Sequence, residues 1–487
     1  MNILIGQDNM WKFIGGESEK ITDDLTAVNT FFGWTIQGCY GDNDKIHCVL
    51  NTLQTHEYTF DVAKFWEIES IGINAPREPA QVDVKIYINE ITKRYVVALP
   101  WKISSEYLHD NKQMARKRLR DLTARLMRDP QKLREYHEGV EELWHSGVSE
   151  RANEFNNSNS TVYYMPHMPV YRDDKSTSKM RIVFDASSCQ PGKTSLNYHL
   201  STGKNCVADL LKILVKFRFD KIALTADIEK AFLQIEIADS DRDVLRFLWY
   251  KTLPTMNEEL PELAEYRMQR VTFGVTSSPF LLATTIQKHL QVNEAKYEGV
   301  SKHLEKSFYV DDMVSSIANE AKAIQFFKGA TDIMSGAKFN LRKWNSNSLS
   351  LKSLLVENKQ EPPLVQKVLG IVWNTMSDEI SIEFDNTLNY IQKLKPTKRN
   401  VLKTMARIYD PFGMLAPSTV RIKLLLQELW KEKVEWDVVM PDEKTKVFEN
   451  WRRELPILRA FALPRRLTTF DNATVELHIF ADASPKA

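Results

Sequence analysis

The chain has 487 residues, of which 43% are hydrophobic and 26% charged, and these values exclude a disordered or fibrous protein. Its 65 Lys and Arg nearly balance its 64 Asp and Glu, so any affinity for nucleic acid must come from local basic surfaces. Its four cysteines form no C-x-x-C pair, which argues against a zinc ribbon and a disulfide framework.

Short strands are predicted near both ends of the chain, over residues 1–6 and 475–481. One interpretation is that both strands pair at the edges of ordinary sheets. The other, which we prefer, is that the chain is a piece of a longer polyprotein. No apolar run reaches the length of a membrane span, and the N-terminus has no secretory signal pattern.

Residues 61–150 are predicted to be mostly helical, with one amphipathic helix over 113–128. Its apolar residues recur at helical spacing and predict a single buried face: Ala115, Leu119, Leu122 and Leu126. The rest of this segment is strongly basic, with Lys112, Arg116, Lys117, Arg118, Arg120, Arg125 and Arg128 against the single acid Asp121. Two interpretations are open for this surface, phosphate binding and an ordinary solvated helix face.

The remainder of the chain divides by composition. Residues 152–160 are polar and predict a loop, whereas 161–375 mix strands and helices. Residues 396–456 are predicted to be helical, with a turn at 409–413. The predicted core of this last region comprises Leu424, Leu425, Leu426, Leu429 and Trp430.

A carboxylate stands at the end of a predicted buried strand in 222–237 (IALTADIEKAFLQIEI). A buried carboxylate is costly unless it is paired or binds a cation, so Asp227 is a candidate cation ligand. The alternative is that Asp227 caps a helix beginning at Ile228.

Two further acids lie in a predicted hairpin turn, at Asp311 and Asp312 of SFYVDDMVSS. Adjacent carboxylates repel each other, and an apolar hairpin gains nothing from them without a cation. Asp227, Asp311 and Asp312 could converge at the ends of neighbouring strands. Oxygen ligands of this kind suit Mg²⁺, and two such ions can promote phosphoryl transfer.

The order of these segments resembles a reverse transcriptase. TADIEKAF, FGVTSSPFLL and FYVDDM resemble motifs A, B and C of that family. The whole chain resembles the polyprotein of a Bel/Pao-type LTR retrotransposon, through five further segments: FWEIESIGI (65–73), RYVVALPWK (94–102), KMRIVFDAS (179–187), FNLRKWNSNS (339–348) and IYDPFGMLAPSTVRIKLLLQELW (408–430).

The resemblance implies an α+β fold, a right-hand polymerase with fingers, palm and thumb. An antiparallel palm sheet would be backed by helices and preceded by a helical N-terminal extension. The implied domains are a remnant of a retropepsin-like protease (1–60), the helical extension (61–160), fingers and palm (161–375), a thumb or connection region (376–470) and the start of a ribonuclease H-like domain (471–487).

The resemblance also implies the metal ligands. Asp227, Asp311 and Asp312 match the catalytic carboxylates, and the backbone carbonyl of Ile228 would hold the ion that accompanies the triphosphate. Two Mg²⁺ ions are expected, with Mn²⁺ as a possible substitute. Phe232 matches the steric gate against ribonucleotides, and its alternative is simple core packing.

Further residues would contact the incoming deoxynucleotide or the primer. Arg181 matches the fingers arginine, and Lys175 matches the fingers lysine, with Lys179 as a rival. Phe273 and Gly274 open motif B, and Lys343 matches the motif D lysine. Leu369 and Gly370 resemble the primer grip. Asp482 matches the first ribonuclease H metal ligand, whose remaining partners would lie beyond Ala487.

The function implied is that of an RNA-directed DNA polymerase. Its expected partners are an RNA template, a DNA primer and product, deoxynucleoside triphosphates and other parts of the polyprotein. Protease and ribonuclease H activities are not expected from this chain alone. The expected location is a virus-like particle in the cytoplasm. The alternative is a decayed element that retains only nucleic-acid binding.

Overall fold

A computed structural model describes residues 14–21, 25–30, 33–38, 51–52, 84–152, 161–171, 180–206, 208–255, 259–297, 299–358 and 360–467. The chain forms two compact units, Met1–Arg77 and Glu78–Ala487. The strands predicted at 1–6 and 475–481 lie outside the described residues. Among the residues that are described, no helix is both long and apolar enough to cross a bilayer.

The first unit contains an antiparallel sheet with the strand order β1-β2-β3-β4. Its strands are β1 (Ile14–Lys20), β2 (Leu25–Thr30), β3 (Gly33–Gly38) and β4 (Asn51–Thr52). The assignment of this segment to the end of a protease stays a prediction.

The second unit mixes helices and strands, as the α+β prediction requires. Its strands are β5 (Ile86–Ile88), β6 (Tyr95–Val97), β7 (Ser149–Arg151), β8 (His167–Tyr171), β9 (Met180–Phe184), β10 (Ile222–Ile228), β11 (Glu236–Ile237), β12 (Arg246–Tyr250), β13 (Leu263–Met268), β14 (Phe308–Tyr309), β15 (Asp312–Ile317), β16 (Leu341–Ser346), β17 (Val365–Val368), β18 (Ile371–Asn374), β19 (Glu379–Ser381) and β20 (Ala462–Pro464).

The helices of this unit are α1 (Lys112–Leu126), α2 (Pro130–His145), α3 (Leu196–His199), α4 (Leu210–Phe217), α5 (Asp239–Arg242), α6 (Ser278–Val292), α7 (Val300–Glu305), α8 (Glu320–Gly336), α9 (Leu349–Glu357), α10 (Asp385–Ile391), α11 (Lys398–Arg407), α12 (Ala416–Lys431) and α13 (Asp442–Glu454). Short 3₁₀ turns cover Ser105–Tyr107, Ala231–Gln234, Asp243–Leu245 and Leu455–Ala460.

An antiparallel central sheet has the strand order β14-β15-β10-β16. Strand β10 lies between β15 and β16, and its residues are buried apart from Asp227. Helix α8 packs on this sheet through the side chains that its helical spacing places on one face, and the ring of Phe327 meets that of Trp344 edge to face at 4.9 Å. This layer of helix on sheet fixes the strands that carry the candidate carboxylates.

The segment before the central sheet is less helical than predicted. Helices α1 and α2 are present, and α1 buries all four residues expected of its apolar face. However, β6 pairs in parallel with β11, and β7 pairs with β13, so this segment also contributes strands to sheets formed with later residues. These three-residue strands are too short to show an alternating pattern, and their partners lie about a hundred residues or more away in sequence.

The helical region over 385–460 has its own apolar core, which includes Leu425 and Leu429 of α12 as predicted. Leu426 packs against this core. The prediction for Trp430 was wrong, because its side chain is 59% exposed and lies 4.2 Å from the ammonium of Lys398. A tryptophan ring can satisfy helical spacing yet sit on a cation at the helix surface. The predicted turn at 409–413 separates α11 from α12.

Strand β20 returns the chain to the central part of the unit, where it pairs with β19. The next residue, Arg465, is fully buried. Its guanidinium forms an ion pair of 2.7 Å with Asp378 and donates to the backbone carbonyls of Phe217, Asp220 (3.0 Å) and Lys221 (2.8 Å). Arg465 therefore fastens β20 to the end of α4 and the start of β10.

Candidate active site

The two acidic motifs meet through backbone pairing of β10 and β15. Asp227 lies directly opposite Asp312 in the antiparallel register. One residue further, the backbone N–H of Ile228 donates to the carbonyl of Asp311 over 2.9 Å. The structure thus brings together the backbone positions of the four residues predicted to bind metal.

The turn that carries Asp311 is strained. The predicted hairpin is present: Phe308 pairs with Met313 and Tyr309 with Asp312. Its two-residue loop is Val310 and Asp311, whereas Asp312, also predicted in the turn, is the first residue of β15. Val310 has a φ angle of +58°, a region that a β-branched residue enters only at a cost of about 1–3 kcal/mol. Such strain is commonly found at functional sites, and here it presents Asp311 at the tip of the hairpin.

The side chain of Asp227 meets a lysine. Its Oδ2 atom lies 2.6 Å from the ammonium of Lys343, whereas its Oδ1 atom is buried and has no hydrogen-bond partner. Lys343 reaches this position from a bulge in β16, where the pairing register with β10 shifts and the φ angle of Lys343 is +52°. Backbone distortion therefore aims the lysine at the candidate metal ligand.

The donor set suits a hard divalent cation. Carboxylate oxygens and a backbone carbonyl are ligands that Mg²⁺ and Mn²⁺ accept, and a buried carboxylate oxygen without a partner is costly in their absence. In the described part of the chain, no group of three or more His, Cys, Asp or Glu side chains is arranged to hold a metal ion. In this structure, the ammonium of Lys343 supplies the positive charge that lies beside the Asp227 carboxylate.

Three of the residues predicted to contact the nucleotide form one cluster. The rings of Phe232 and Phe273 meet edge to face at 4.8 Å, and the guanidinium of Arg181 lies 6.0 Å from the Phe273 ring. Phe232 is buried, so core packing accounts for most of its surface, while Phe273 is 37% exposed. Arg181 and Phe273 therefore offer the accessible part of this cluster.

Gly274 occupies a position that requires glycine. Its φ angle is +98°, and a Cβ atom there would stand 1.8 Å from the carbonyl oxygen of Phe184. The amide of Asn197 donates to the Gly274 carbonyl over 3.0 Å and accepts from the backbone N–H of Thr276 over 2.8 Å. Asn197 therefore holds the start of motif B in place, a role that no sequence pattern predicts.

Leu369 and Gly370 form the tight turn between β17 and β18. Both have positive φ angles, +47° and +93°, the combination found in the turns of two-residue hairpins. The hydroxyl of Tyr409 donates to the Leu369 carbonyl over 3.0 Å, and a Cβ atom on Gly370 would lie 2.4 Å from the Tyr409 ring. Sequence analysis interpreted the segment around Tyr409 as a turn and as part of the Bel/Pao resemblance, but predicted no contact with Leu369.

One apolar cluster connects this turn to the acidic hairpin. Tyr309, Leu369 and Phe412 all pack against the same buried core. Burial, with a smaller contribution from Tyr309, raises the pKa of the Tyr409 phenol. The predicted primer grip and the FYVDDM hairpin thus share a common support. Lys175, its rival Lys179 and Asp482 lie outside the described residues.

Comparison with family models identifies the domains. Residues 166–351 match the model for reverse transcriptase (RNA-dependent DNA polymerase), and residues 397–487 match the Pao retrotransposon-like RNaseH-like domain. These two matches support the assignment of this chain to the reverse transcriptase region of a Pao-type retroelement. The predicted resemblance to reverse transcriptases and to Pao elements is therefore confirmed for these two segments. The Pao match begins well before residue 471, where sequence analysis places the start of the ribonuclease H-like domain, and the predicted boundaries stay predictions.

Three solved structures of a foamy viral protease-reverse transcriptase are similar to this reverse transcriptase region. The form called dRH with double-stranded DNA has a TM-score of 0.42 and 15% identity, and the match covers 65% of this chain and 47% of that chain. The complex with an RNA/DNA hybrid has a TM-score of 0.42 and 16% identity, and the match covers 65% of this chain and 36% of that chain. Another double-stranded DNA complex has a TM-score of 0.43 and 15% identity, with 65% of this chain and 56% of that chain covered. This chain thus spans from about a third to just over half of those proteins. The comparison with curated proteins gives no match.

Proposed function

We propose that this chain is an RNA-directed DNA polymerase that adds deoxynucleotides to a primer 3′-hydroxyl on an RNA or DNA template. The observation that carries the proposal is the pairing of Asp227 with Asp312, and of Ile228 with Asp311, inside the segment that matches reverse transcriptase. Phosphoryl transfer depends mainly on positioning and electrostatic stabilisation, and this arrangement supplies acidic ligands on a rigid sheet.

Asp227, Asp311, Asp312 and the carbonyl of Ile228 would hold the divalent ions, for which Mg²⁺ is proposed and Mn²⁺ is a substitute. When bound, two such ions stabilise the attacking and leaving oxygens of the displacement. The partnerless Oδ1 atom of Asp227 supports this assignment. Lys343 is proposed to balance the charge of Asp227 and to lie close to the reacting phosphates.

Arg181, with its planar guanidinium, would contact the triphosphate and stack against the nucleotide, and Phe273 with Gly274 would form the adjoining wall. Phe232 packs edge to face against Phe273 and would close the space beside the sugar of the incoming nucleotide. Lys175 is proposed to reach the terminal phosphates. The turn of Leu369 and Gly370 would support the primer terminus.

The proposed partners are a template RNA, a DNA primer and product, deoxynucleoside triphosphates and other parts of the same polyprotein. The proposed location is a cytoplasmic virus-like particle. The foamy viral structures were solved with double-stranded DNA or an RNA/DNA hybrid, which are substrates of the same class.

The test is primer extension on poly(rA)/oligo(dT) with Mg²⁺ or Mn²⁺, comparing the wild type with Asp311→Asn. We expect the variant to lose activity by about 10²–10³-fold or more, since it removes a charge that acts on the transition state. The matched control is Asp385→Asn, an exposed acid whose ion pair with Arg459 contributes little.

Equal activity in wild type and Asp311→Asn would show that the site is assigned wrongly. A folded wild type that binds the template-primer but never extends it, with either metal, would instead support the decayed element. Adding a ribonuclease H domain to the assay would then separate a decayed site from a domain requirement.

A further inference from the structure

Helix α1 carries a basic face that the proposed active site does not use. Its apolar face is buried in the main core of the unit, so the cations stand on the outer side of a fixed helix. Six cations on or just after α1 are exposed. Arg118 is one of them and is ion-paired; the other five are Arg116, Lys117, Arg120, Arg125 and Arg128. By the helical rise, Arg116 and Arg125 are separated by about 14 Å along the axis.

Acids of the fold neutralise only part of this charge. Lys112 pairs with Glu265, and Arg118 pairs with Asp185 at 2.6 Å. Among the residues that the structure describes, the other five exposed cations form no ion pair. Arg116 and Arg120 are four residues apart, a spacing at which like charges destabilise a helix. Asp121 is four residues from both Lys117 and Arg125 and offsets part of this repulsion, but the exposed cations still outnumber the acids beside them. An anionic partner explains this surplus best.

The ion pair between Arg118 and Asp185 links the basic face to the proposed nucleotide pocket. Asp185, the partner of Arg118, follows β9 and lies four residues after Arg181. Its Oδ1 atom accepts from the backbone N–H of Ser187 over 3.1 Å, and the Ser187 hydroxyl accepts from Asn197 over 2.8 Å. Asn197 in turn holds the carbonyl of Gly274. A continuous series of polar contacts therefore joins α1 to the proposed nucleotide pocket.

We propose that the exposed basic face of α1 binds the phosphates of the single-stranded template on its way to the active site. This inference rests on the proposed function for the identity of the strand. A membrane surface is a poorer partner, because the apolar face of α1 is committed to the core and cannot insert into lipid. A strand of phosphates matches a row of cations spread along a helix.

The test measures binding by fluorescence anisotropy over a range of salt concentrations. Two template-primers are used, one blunt and one with a single-stranded 5′ RNA overhang. The test variant is Arg116→Gln, Lys117→Gln, Arg120→Gln. The matched control is Lys322→Gln, Lys328→Gln, Lys338→Gln, three exposed lysines on or beside α8 that lose the same charge.

On the overhanging substrate, we expect the test variant to reduce the slope of log K against log salt by about 2, since each single-strand phosphate contact contributes about 0.7. The blunt substrate and the control variant should keep the wild-type slope. A charge-conserving variant, Arg116→Lys and Arg120→Lys, should also keep it, which separates charge loss from misfolding.

An unchanged slope in the test variant would overturn the proposal. So would an equal loss on the blunt substrate, which would indicate duplex binding, or a loss confined to vesicles of phosphatidylserine, which would indicate a membrane partner. A wild type that never extends a primer but keeps the overhang-dependent slope would contradict the polymerase proposal and leave this surface intact.

Discussion

The central sheet and the helical region over 385–460 use their backbones differently. Beside the candidate carboxylates, Val310 and Lys343 have φ angles of +58° and +52° although neither is glycine. In the helical region, which the structure describes completely, Lys433 is the one non-glycine residue with a positive φ angle, +54°, and it follows the end of α12. Left-handed residues are ordinary after a helix end, but the conformation is costly for a β-branched residue in a hairpin loop and for a lysine within a strand.

The difference indicates where the chain is specialised for chemistry. In the helical region, apolar spacing, helix ends and turn residues agree with the observed structure except at Trp430, which is exposed. Around Asp227 and Asp311, two strained residues direct charged groups toward each other, which sequence propensities oppose. Conflict between local preference and observed structure is expected at functional sites, where surrounding contacts hold the strained conformation.

The largest effect is expected from a matched pair of glycine substitutions. Gly274→Ala places a methyl group 1.8 Å from the Phe184 carbonyl oxygen at a φ angle of +98°, whereas Gly413→Ala at +70° meets nothing within 4 Å. We expect the free energy of unfolding to fall by about 3–5 kcal/mol for Gly274→Ala and by about 1–2 kcal/mol for Gly413→Ala. Urea unfolding followed by circular dichroism measures both. Equal losses for the two variants would contradict the requirement for glycine at position 274.

The next prediction compares two neighbours in α12. Leu429 is fully buried, whereas Trp430 is 59% exposed. Leu429→Ala should lower the free energy of unfolding by about 2–5 kcal/mol through a cavity, and Trp430→Ala by about 1 kcal/mol or less through loss of its contact with Lys398. Thermal unfolding of both variants tests the order. A larger loss for Trp430→Ala would mean that the outer surface of α12 is covered.

A third prediction uses pH to separate the two regions, since 385–460 contain no histidine. Burial lowers the pKa of His167 to about 4 from a model-peptide value of 6.5. Between pH 6.5 and pH 4, this histidine is protonated in the unfolded chain but neutral in the folded chain. The free energy of unfolding therefore falls as pH drops from about 6.5 toward 4. Between pH 7 and pH 5, this histidine should account for a loss of about 2 kcal/mol.

His167→Gln isolates that contribution, because glutamine can donate to the Leu248 carbonyl and accept from the Tyr136 hydroxyl as the imidazole does. The variant should lose less stability than wild type between pH 7 and pH 5, as measured by urea midpoints. Burial also lowers the pKa of His289 and His303, so some pH dependence will persist. An unchanged pH dependence would contradict the assignment to His167.

The smallest effect concerns the strained residues themselves. Val310→Gly and Lys433→Gly should each raise the free energy of unfolding by up to about 1 kcal/mol, because glycine accepts a positive φ angle without penalty. Primer extension should fall only for Val310→Gly, since a flexible turn no longer fixes Asp311. Equal activity in both variants would show that strain at Val310 has no part in the site.

Local patterns were sufficient to predict several parts of the molecule. The buried face of α1, the β10 strand and the hairpin at Asp311 follow from the spacing of apolar residues within one element. Such patterns depend only on whether an element has one buried face, which the chain reveals directly.

Contacts between distant segments were not predictable in this way. The pairing of Lys343 with Asp227 depends on a bulge in β16, and the bond from Tyr409 to Leu369 joins residues 40 positions apart. The short strands β6 and β7 depend on partners far along the chain, and Trp430 satisfied the helical pattern while lying on a cation. In each case the deciding interaction is tertiary, and no single element contains it.

The buried guanidinium of Arg465 affects when the central part of the unit can complete its folding during translation. Arg465 binds the carbonyls of Phe217 and Lys221, which precede it by 248 and 244 residues. At a synthesis rate of about 5–20 residues per second, roughly 10–50 s separate the appearance of these partners. During that interval, the end of α4 and the start of β10 lack their hydrogen bonds to Arg465. The strand that carries Asp227 therefore reaches its final form only when translation has passed residue 465.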